Sequence, residues 1–361
     1  MQWKTFGSRL GRWWMAAVLG AVLTGCGGGG GGGDGEEAGA VGGGLAGGEV
    51  VVAPPPPDAR SGDYTMLAAD GREYTLNLDF DAATWRIAGT DFERAGSFTA
   101  GSHGEFHVTP SNSVGAEGTT TLRFTQFSDT VVGTANLPTG VRPFLASRSM
   151  ATSVAAIAGT YNMLGREVYD DGNENTSIQQ GEITASGELR ICEHIVIYTV
   201  DICPPEAIWQ GPVTVEGTLF TSHTPGGPLR FRVLNVAGEH IFVRASASTT
   251  TRRRFMVGTP AGPVYHAGVF RSGGSDASWG TDTVTTNAYG RDAVLPDGQA
   301  VTFSGGALSV HDGSNSLGNL RSIGTATAGG FFSVRSAELV VVAASRDSAH
   351  MRGFFAIGRR Q

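Results

Sequence analysis

The sequence predicts an all-β body of tandem antiparallel β-barrel or β-sandwich units behind a disordered N-terminal tether, and three observations carry that expectation. Apolar and polar residues alternate in Tyr74-Thr-Leu-Asn-Leu-Asp-Phe80, Thr121-Leu-Arg-Phe124, Pro228-Leu-Arg-Phe-Arg-Val233 and Glu239-His-Ile-Phe-Val-Arg244. That is the pattern of strands with one face in a core and one in water. Beyond Asp58, turn residues interrupt the apolar runs about every ten residues, and no stretch sustains a helical apolar period for long. The third observation is that the body repeats itself.

Gly62, Tyr64, Met66 and Leu67 match Gly159, Tyr161, Met163 and Leu164, and after a gap Gly71-Arg72-Glu73 matches Gly165-Arg166-Glu167. In the same order, Trp85-Arg-Ile87 pairs with Leu189-Arg-Ile191, Leu122-Arg-Phe124 with Leu229-Arg-Phe231, and Arg142-Pro-Phe-Leu-Ala146 with Arg253-Arg-Phe-Met-Val257. A third, divergent copy ends in Arg352-Gly-Phe-Phe-Ala356. Its start is placed at Gly262-Pro-Val-Tyr265, and Leu308-Ser-Val310 is set where Leu189-Arg-Ile191 stood. The chain therefore divides into a signal segment (1–25), a Gly/Pro-rich tether (26–58) and β units at 59–155, 156–258 and 259–361. Each unit has room for about seven or eight short strands, enough for a small closed barrel or a two-sheet sandwich that shields its edges. A propeller is the rival, but the period is near 100 residues rather than the roughly 40 to 50 of a blade.

The N-terminus carries Lys4, Arg9 and Arg12 ahead of the apolar run Met15 to Leu23, which is shorter than the roughly 20 residues a membrane span needs. Leu23-Thr24-Gly25-Cys26 resembles a bacterial lipobox, which implies that Cys26 is diacylated and becomes the new N-terminus. In that family an Asp directly after the cysteine favours inner-membrane retention. Gly27 stands there instead, so the resemblance implies an outer-membrane lipoprotein, facing the periplasm or the cell surface. Each buried methylene of an acyl chain contributes about 0.8 kcal/mol, so several chains anchor a soluble body adequately. Gly27 to Asp58 buries almost nothing and is expected to be disordered, with a stiffer spacer at Pro54 to Pro57.

The chain has three cysteines, and with Cys26 lipidated an even pair remains. An oxidising compartment permits a disulfide between Cys192 and Cys203; two buried free thiols are the alternative, and a zinc site has only His194 nearby to support it. The formal net charge is −7, no basic run is visible that could neutralise phosphates, and nucleic acid is not an expected partner. Lys4 is the only lysine; every cation after the signal segment is arginine, which suits bidentate carboxylate or phosphate contacts, but a GC-rich genome explains it more cheaply.

The sequence shows no Gly-x-Ser-x-Gly elbow, His-Glu-x-x-His pair or Walker loop, so neither an enzyme nor a cofactor is expected. Ser102, His103 and His107 read as a solvated hairpin tip, since on a strand the two histidines stand about 13 Å apart. The best metal candidate is a calcium loop with Asp171, Asn173, Asn175, Ser177, Gln179 and Glu182 at positions one, three, five, seven, nine and twelve. Thr176 occupies the position where the EF-hand family has glycine, and a polar hairpin loop accounts for the same residues. Of the tryptophans after the signal segment, Trp85 is expected in the core, while Trp209 and Trp279 are open to either burial or exposure.

In outline the chain resembles the neisserial surface lipoproteins that bind host transferrin or complement factors, where glycine-rich tethers carry eight-stranded barrels. Gly353-Phe-Phe-Ala-Ile-Gly-Arg-Arg360 is similar to the final strand of those barrels, although no binding residue carries over. The expectation is a binding or adhesion module for a protein or glycan ligand, attached to the membrane through its lipid. The alternative is a structural or assembly-assisting periplasmic lipoprotein.

Overall fold

The computed structural model describes residues 56–108, 122–170, 173–193, 199–224, 227–249, 252–262, 267–285, 288–295, 297–310, 320–323, 331–344 and 354–361. The signal segment, Cys26, nearly all of the tether, Asp171 and His194 lie outside them. The described body is all-β and forms one compact unit of three closed, eight-stranded antiparallel barrels.

The first barrel comprises β1 (Gly62–Ala68), β2 (Glu73–Asp79), β3 (Thr84–Gly89), β4 (Phe92–Ala100), β5 (Glu105–Val108), β6 (Leu122–Phe127), β7 (Thr130–Leu137) and β8 (Gly140–Ser147). The second comprises β9 (Gly159–Tyr169), β10 (Glu174–Ile183), β11 (Glu188–Cys192), β12 (Ile208–Glu216), β13 (Leu219–Thr224), β14 (Gly227–Val236), β15 (Glu239–Thr249) and β16 (Arg252–Pro260). The third comprises β17 (Gly268–Gly274), β18 (Trp279–Val284), β19 (Ala288–Val294), β20 (Ala300–Val310), β21 (Leu320–Ile323), β22 (Phe331–Arg335), β23 (Leu339–Ala344) and β24 (Phe355–Arg360). Each strand pairs with the next, and the first strand of each barrel pairs with its last.

The opening match of the repeat is structural. β1 and β9 both begin at the matched glycine, and the matched tyrosines do the same work: Tyr64 donates its hydroxyl to the Arg60 carbonyl at 2.6 Å, and Tyr161 to the Ile157 carbonyl at 2.8 Å. Trp85 and Leu189 both fall on third strands, and Phe124 and Phe231 on sixth strands, with all four side chains inside their barrels.

Other parts of the match are corrected. Gly71-Arg72-Glu73 lies at the turn into β2, whereas Gly165-Arg166-Glu167 lies inside β9, which runs on past the point where β1 stops. The closing strands were aligned one residue out. Met66 stands opposite Ala146 and Met163 opposite Gly258, so Phe144 corresponds to Met256, inside the barrel, and Phe255 points outward. A one-residue slip moves a side chain to the other face, and here both faces are apolar, so the pattern does not reveal the slip. In the third barrel the first strand starts at Gly268, with Phe270 where the other barrels have tyrosine, and Leu308-Ser-Val310 belongs to the fourth strand rather than the third.

Alternate residues of each barrel fill its own interior. The opposite faces of β1, β8, β9, β15, β16, β23 and β24 contribute Leu67, Leu145, Leu164, Val243, Phe255, Val341 and Phe355 to one cluster shared by all three barrels. Phe255 and Phe355 meet edge to face there, with centroids 5.7 Å apart. Each such fully buried side chain contributes about 1.5–3 kcal/mol relative to exposure. Gly71 marks how closely the first two barrels approach. Its φ is +75°, and a Cβ there would lie 2.8 Å from the Arg253 Cβ, so the turn requires glycine for both conformation and space.

Replacing Phe255 with alanine is expected to lower the unfolding free energy by about 3–5 kcal/mol, whereas Val269→Ala, on an exposed face, should stay within about 0.5 kcal/mol. Urea unfolding of both variants measures the difference.

Candidate functional site at the junction of the first and second barrels

The three barrel interiors differ in chemistry. The first is apolar: Phe98, Phe106 and Phe124 contact one another with centroids 5.0 to 5.5 Å apart, and Trp85 is 3% exposed, in the core as its sequence context predicts. The third encloses a neutralised pair. Arg291 donates to Asp282 at 2.8 Å and to the Ser278 hydroxyl at 2.9 Å, and Tyr289 donates to Asp282 at 3.0 Å. Burial works against the Arg291 charge, but Asp282 and Tyr289 outweigh it and hold the guanidinium above its usual pKa.

The second barrel is apolar at one end and charged at the other. Alternation along β9, β15 and β16 sends Glu167, Arg244, Arg252 and Arg254 inward beyond Met256, and Glu193, just after β11, joins them. Arg254 reaches Glu167 at 2.6 Å and also pairs with Glu193, while Arg252 stands 3.6 Å from Glu167. The Trp209 ring centroid lies 5.8 Å from the Arg254 guanidinium carbon, so this half-buried indole serves as a cation platform. Arg244, 3% exposed, donates its Nε to the Ser246 hydroxyl at 3.2 Å, and its Nη1 has no partner among the described residues. Burial, then the neighbouring Arg254, pushes the Arg244 pKa down to about 10. Among the described residues, three arginines thus gather around two carboxylates at this end of the barrel.

The outer side of the same wall continues this excess. A cleft of about 1030 Å³ separates the first two barrels, with Arg72, Tyr74 and Phe92 on one side and Arg230, Ser246 and Arg253 among the residues on the other. Arg232 spans the cleft to Glu73 with two hydrogen bonds of 2.7 and 2.8 Å. Arg253 is 3.7 Å from Asp170, and Arg72 and Arg230 are exposed with no ion pair to a described residue. Four arginines and two carboxylates, Glu73 and Asp91, line the cleft. Behind it, Arg142 donates to Glu174 at 2.9 Å and Arg166 pairs with the same carboxylate, while Tyr74 and Thr139 both donate to Asp70, at 2.8 and 3.2 Å. Burial, then Arg142, pushes the Arg166 pKa down to about 9.

Several sequence expectations meet this geometry. Cys192 and Cys203 are bonded, with Cα atoms 5.7 Å apart, and the bond closes the connection between β11 and β12 directly beside Glu193. The calcium loop is corrected. Asn175, Ser177, Gln179 and Glu182 sit along the extended strand β10, paired throughout with β9, and Ser177 and Gln179 are buried, so these side chains do not converge on one point. Asn173 directly precedes that strand, and Asp171 is not among the described residues. Ser102–Gly104 form an exposed 3-10 turn as a hairpin tip would. His107, in contrast, is half-buried in β5, with its Nε2 3.5 Å from Glu105, the carboxylate that pairs with Arg271 of the third barrel. Trp279 is 3% exposed and lies beside Gly273, where Thr134 of the first barrel also approaches. Arg252-Arg253-Arg254 is the sequence signal for this site, a basic run in which alternation along β16 places one arginine on the cleft and two in the barrel.

No family model matches the chain, and no curated protein matches it. Among solved structures, the DNA polymerase sliding clamp from Pseudomonas aeruginosa, alone and with a ligand, aligns over 82% of this chain and 91% of that chain. The identity is 8% and the TM-score 0.13, too low for the likeness to carry an argument.

Three outcomes follow from the site. Glu167→Gln, which takes one carboxylate from Arg254 and Arg252 but leaves Arg254 paired with Glu193, should destabilise the protein by about 1–3 kcal/mol, whereas Arg244→Met should be neutral or stabilising; thermal unfolding compares them. Replacing both Cys192 and Cys203 with serine should cost about 2–4 kcal/mol in the same assay. Burial, against the opposing pull of Glu105, lowers the His107 pKa. The unfolded chain therefore takes up a proton below about pH 6.5 that the folded chain resists, so stability falls as pH falls there. His107→Asn should remove that part of the slope in denaturant titrations at stepped pH.

Proposed function

We propose that the protein is an outer-membrane lipoprotein, anchored by acyl chains on Cys26, that acts as a binding module for a glycan or protein ligand. The observation that supports this most is the arginine-lined cleft between the first two barrels, whose volume is at the upper end of the range of ligand pockets, about 300–1,000 Å³. Closure of the three barrels leaves no open sheet edge among the described strands, which favours recognition through side chains and loops. A buried guanidinium nitrogen without a partner among the described residues, as at Arg244, lowers stability, and its place in the wall behind the cleft fits a site where stability is given up for binding.

Radiolabelled palmitate should enter the wild-type protein and not Cys26→Ala, and the variant should leave the membrane fraction. Label retained by Cys26→Ala would contradict the anchor. Accessibility of the body to protease on intact cells then decides whether the module faces outward or into the periplasm.

A further inference from the structure

We infer that the cleft between the first and second barrels binds a ligand carrying two or more oxyanion groups, carboxylate or phosphate, clamped between Arg72 of the first barrel and Arg230 and Arg253 of the second. This inference rests on the reading of the protein as a binding module and supplies the chemistry of its ligand. Guanidinium groups present paired N–H donors in a plane that matches a carboxylate or a phosphate edge, so an arginine cluster selects oxyanions over other polar groups.

The charge distribution within the cleft supports this. Glu73 is already committed, because it holds Arg232 with both carboxylate oxygens. Asp91 remains as the other acidic group in the lining, against Arg72 and Arg230, and against Arg253, which has Asp170 beside it at 3.7 Å. Arg72 and Arg230 come from different barrels and have no carboxylate partner among the described residues, so one ligand reaching both would span the cleft. A second observation lies behind the wall. Ser246 lines the cleft and accepts a hydrogen bond from Arg244, a buried guanidinium whose Nη1 has no partner among the described residues. Its charge adds to the potential felt by an anion in the cleft, because the low dielectric of the interior screens it less than water would. Phe92, half-buried on the opposite side, packs edge to face with Tyr74 and carries Arg94 over its ring at 5.4 Å, so that wall of the cleft is aromatic with a further guanidinium beside it.

Isothermal titration of the protein with citrate and with inorganic pyrophosphate tests this, with maltotriose as the neutral probe. The comparison proteins are the double variant Arg72→Gln/Arg230→Gln, whose substituted side chains are exposed, and Arg190→Gln, which breaks an ion pair with Glu182 elsewhere on the second barrel. Binding of either anion, weakened by salt and reduced at least about tenfold in the double variant but not in Arg190→Gln, supports the inference. The stronger of the two anions identifies the oxyanion type. Absence of binding for both anions at millimolar concentration overturns it, as does equal binding by the double variant.

A photoreactive side chain placed at Thr90, an exposed residue of the cleft, separates this failure from failure of the binding reading. If neither anion binds but an envelope component or maltotriose still cross-links at Thr90, the oxyanion chemistry is wrong and the binding function stands. If neither occurs, both fall.

Discussion

The structure depends on one packing constraint: the outward faces of three closed barrels must bury a common apolar cluster. An eight-stranded barrel can satisfy its backbone and fill its interior without neighbours. Here the closing and opening strands carry a second apolar face as well, so Leu145, Phe255 and Phe355 would be exposed in any barrel standing alone. Exposing such a patch is unfavourable, and that drives three tandem units into one body.

This constraint also determines where charge can go. With the outer faces of β8, β16 and β24 given over to the shared cluster, polar residues gather where two barrels meet around it. Arg142 and Arg166 with Glu174 join the first barrel to the second, Arg271 with Glu105 joins the first to the third, and Glu239 accepts from the Ala337 amide at 3.1 Å between the second and third. At the first junction the barrels diverge outward from Gly71, and the arginines of β14 and β16 line the gap. The candidate site is thus a consequence of how the barrels pack, and the Arg244 guanidinium, whose Nη1 has no partner among the described residues, is the part that packing alone does not require.

Much of the architecture was legible in the sequence. Period-two alternation in Tyr74 to Phe80 and in Pro228 to Val233 marks strands with one apolar face, and the Gly-x-Tyr openings at Gly62 and Gly159 mark equivalent first strands because the tyrosine hydroxyl has a fixed backbone partner. What was not legible follows from the shared cluster. Leu339-Val-Val-Val-Ala-Ala344 is buried on both faces, so it has no alternation to read, and the same property hid the one-residue offset between Phe144 and Phe255. The cleft was invisible because its residues come from turns and strands far apart in sequence, with Arg72 and Arg230 brought together only by barrel packing. The acidic run from Asp171 to Glu182 looked like a ligand loop because strands lining a polar barrel end also need polar residues, at a spacing of two that coincides with calcium-loop positions.

The claim that a single core unites the barrels is tested most directly by differential scanning calorimetry of the protein. A shared cluster predicts one unfolding transition whose calorimetric and van't Hoff enthalpies agree, since no barrel can leave without exposing the faces of the others. Three resolved transitions, each with the enthalpy of a single barrel, would contradict it and show three independent domains in contact.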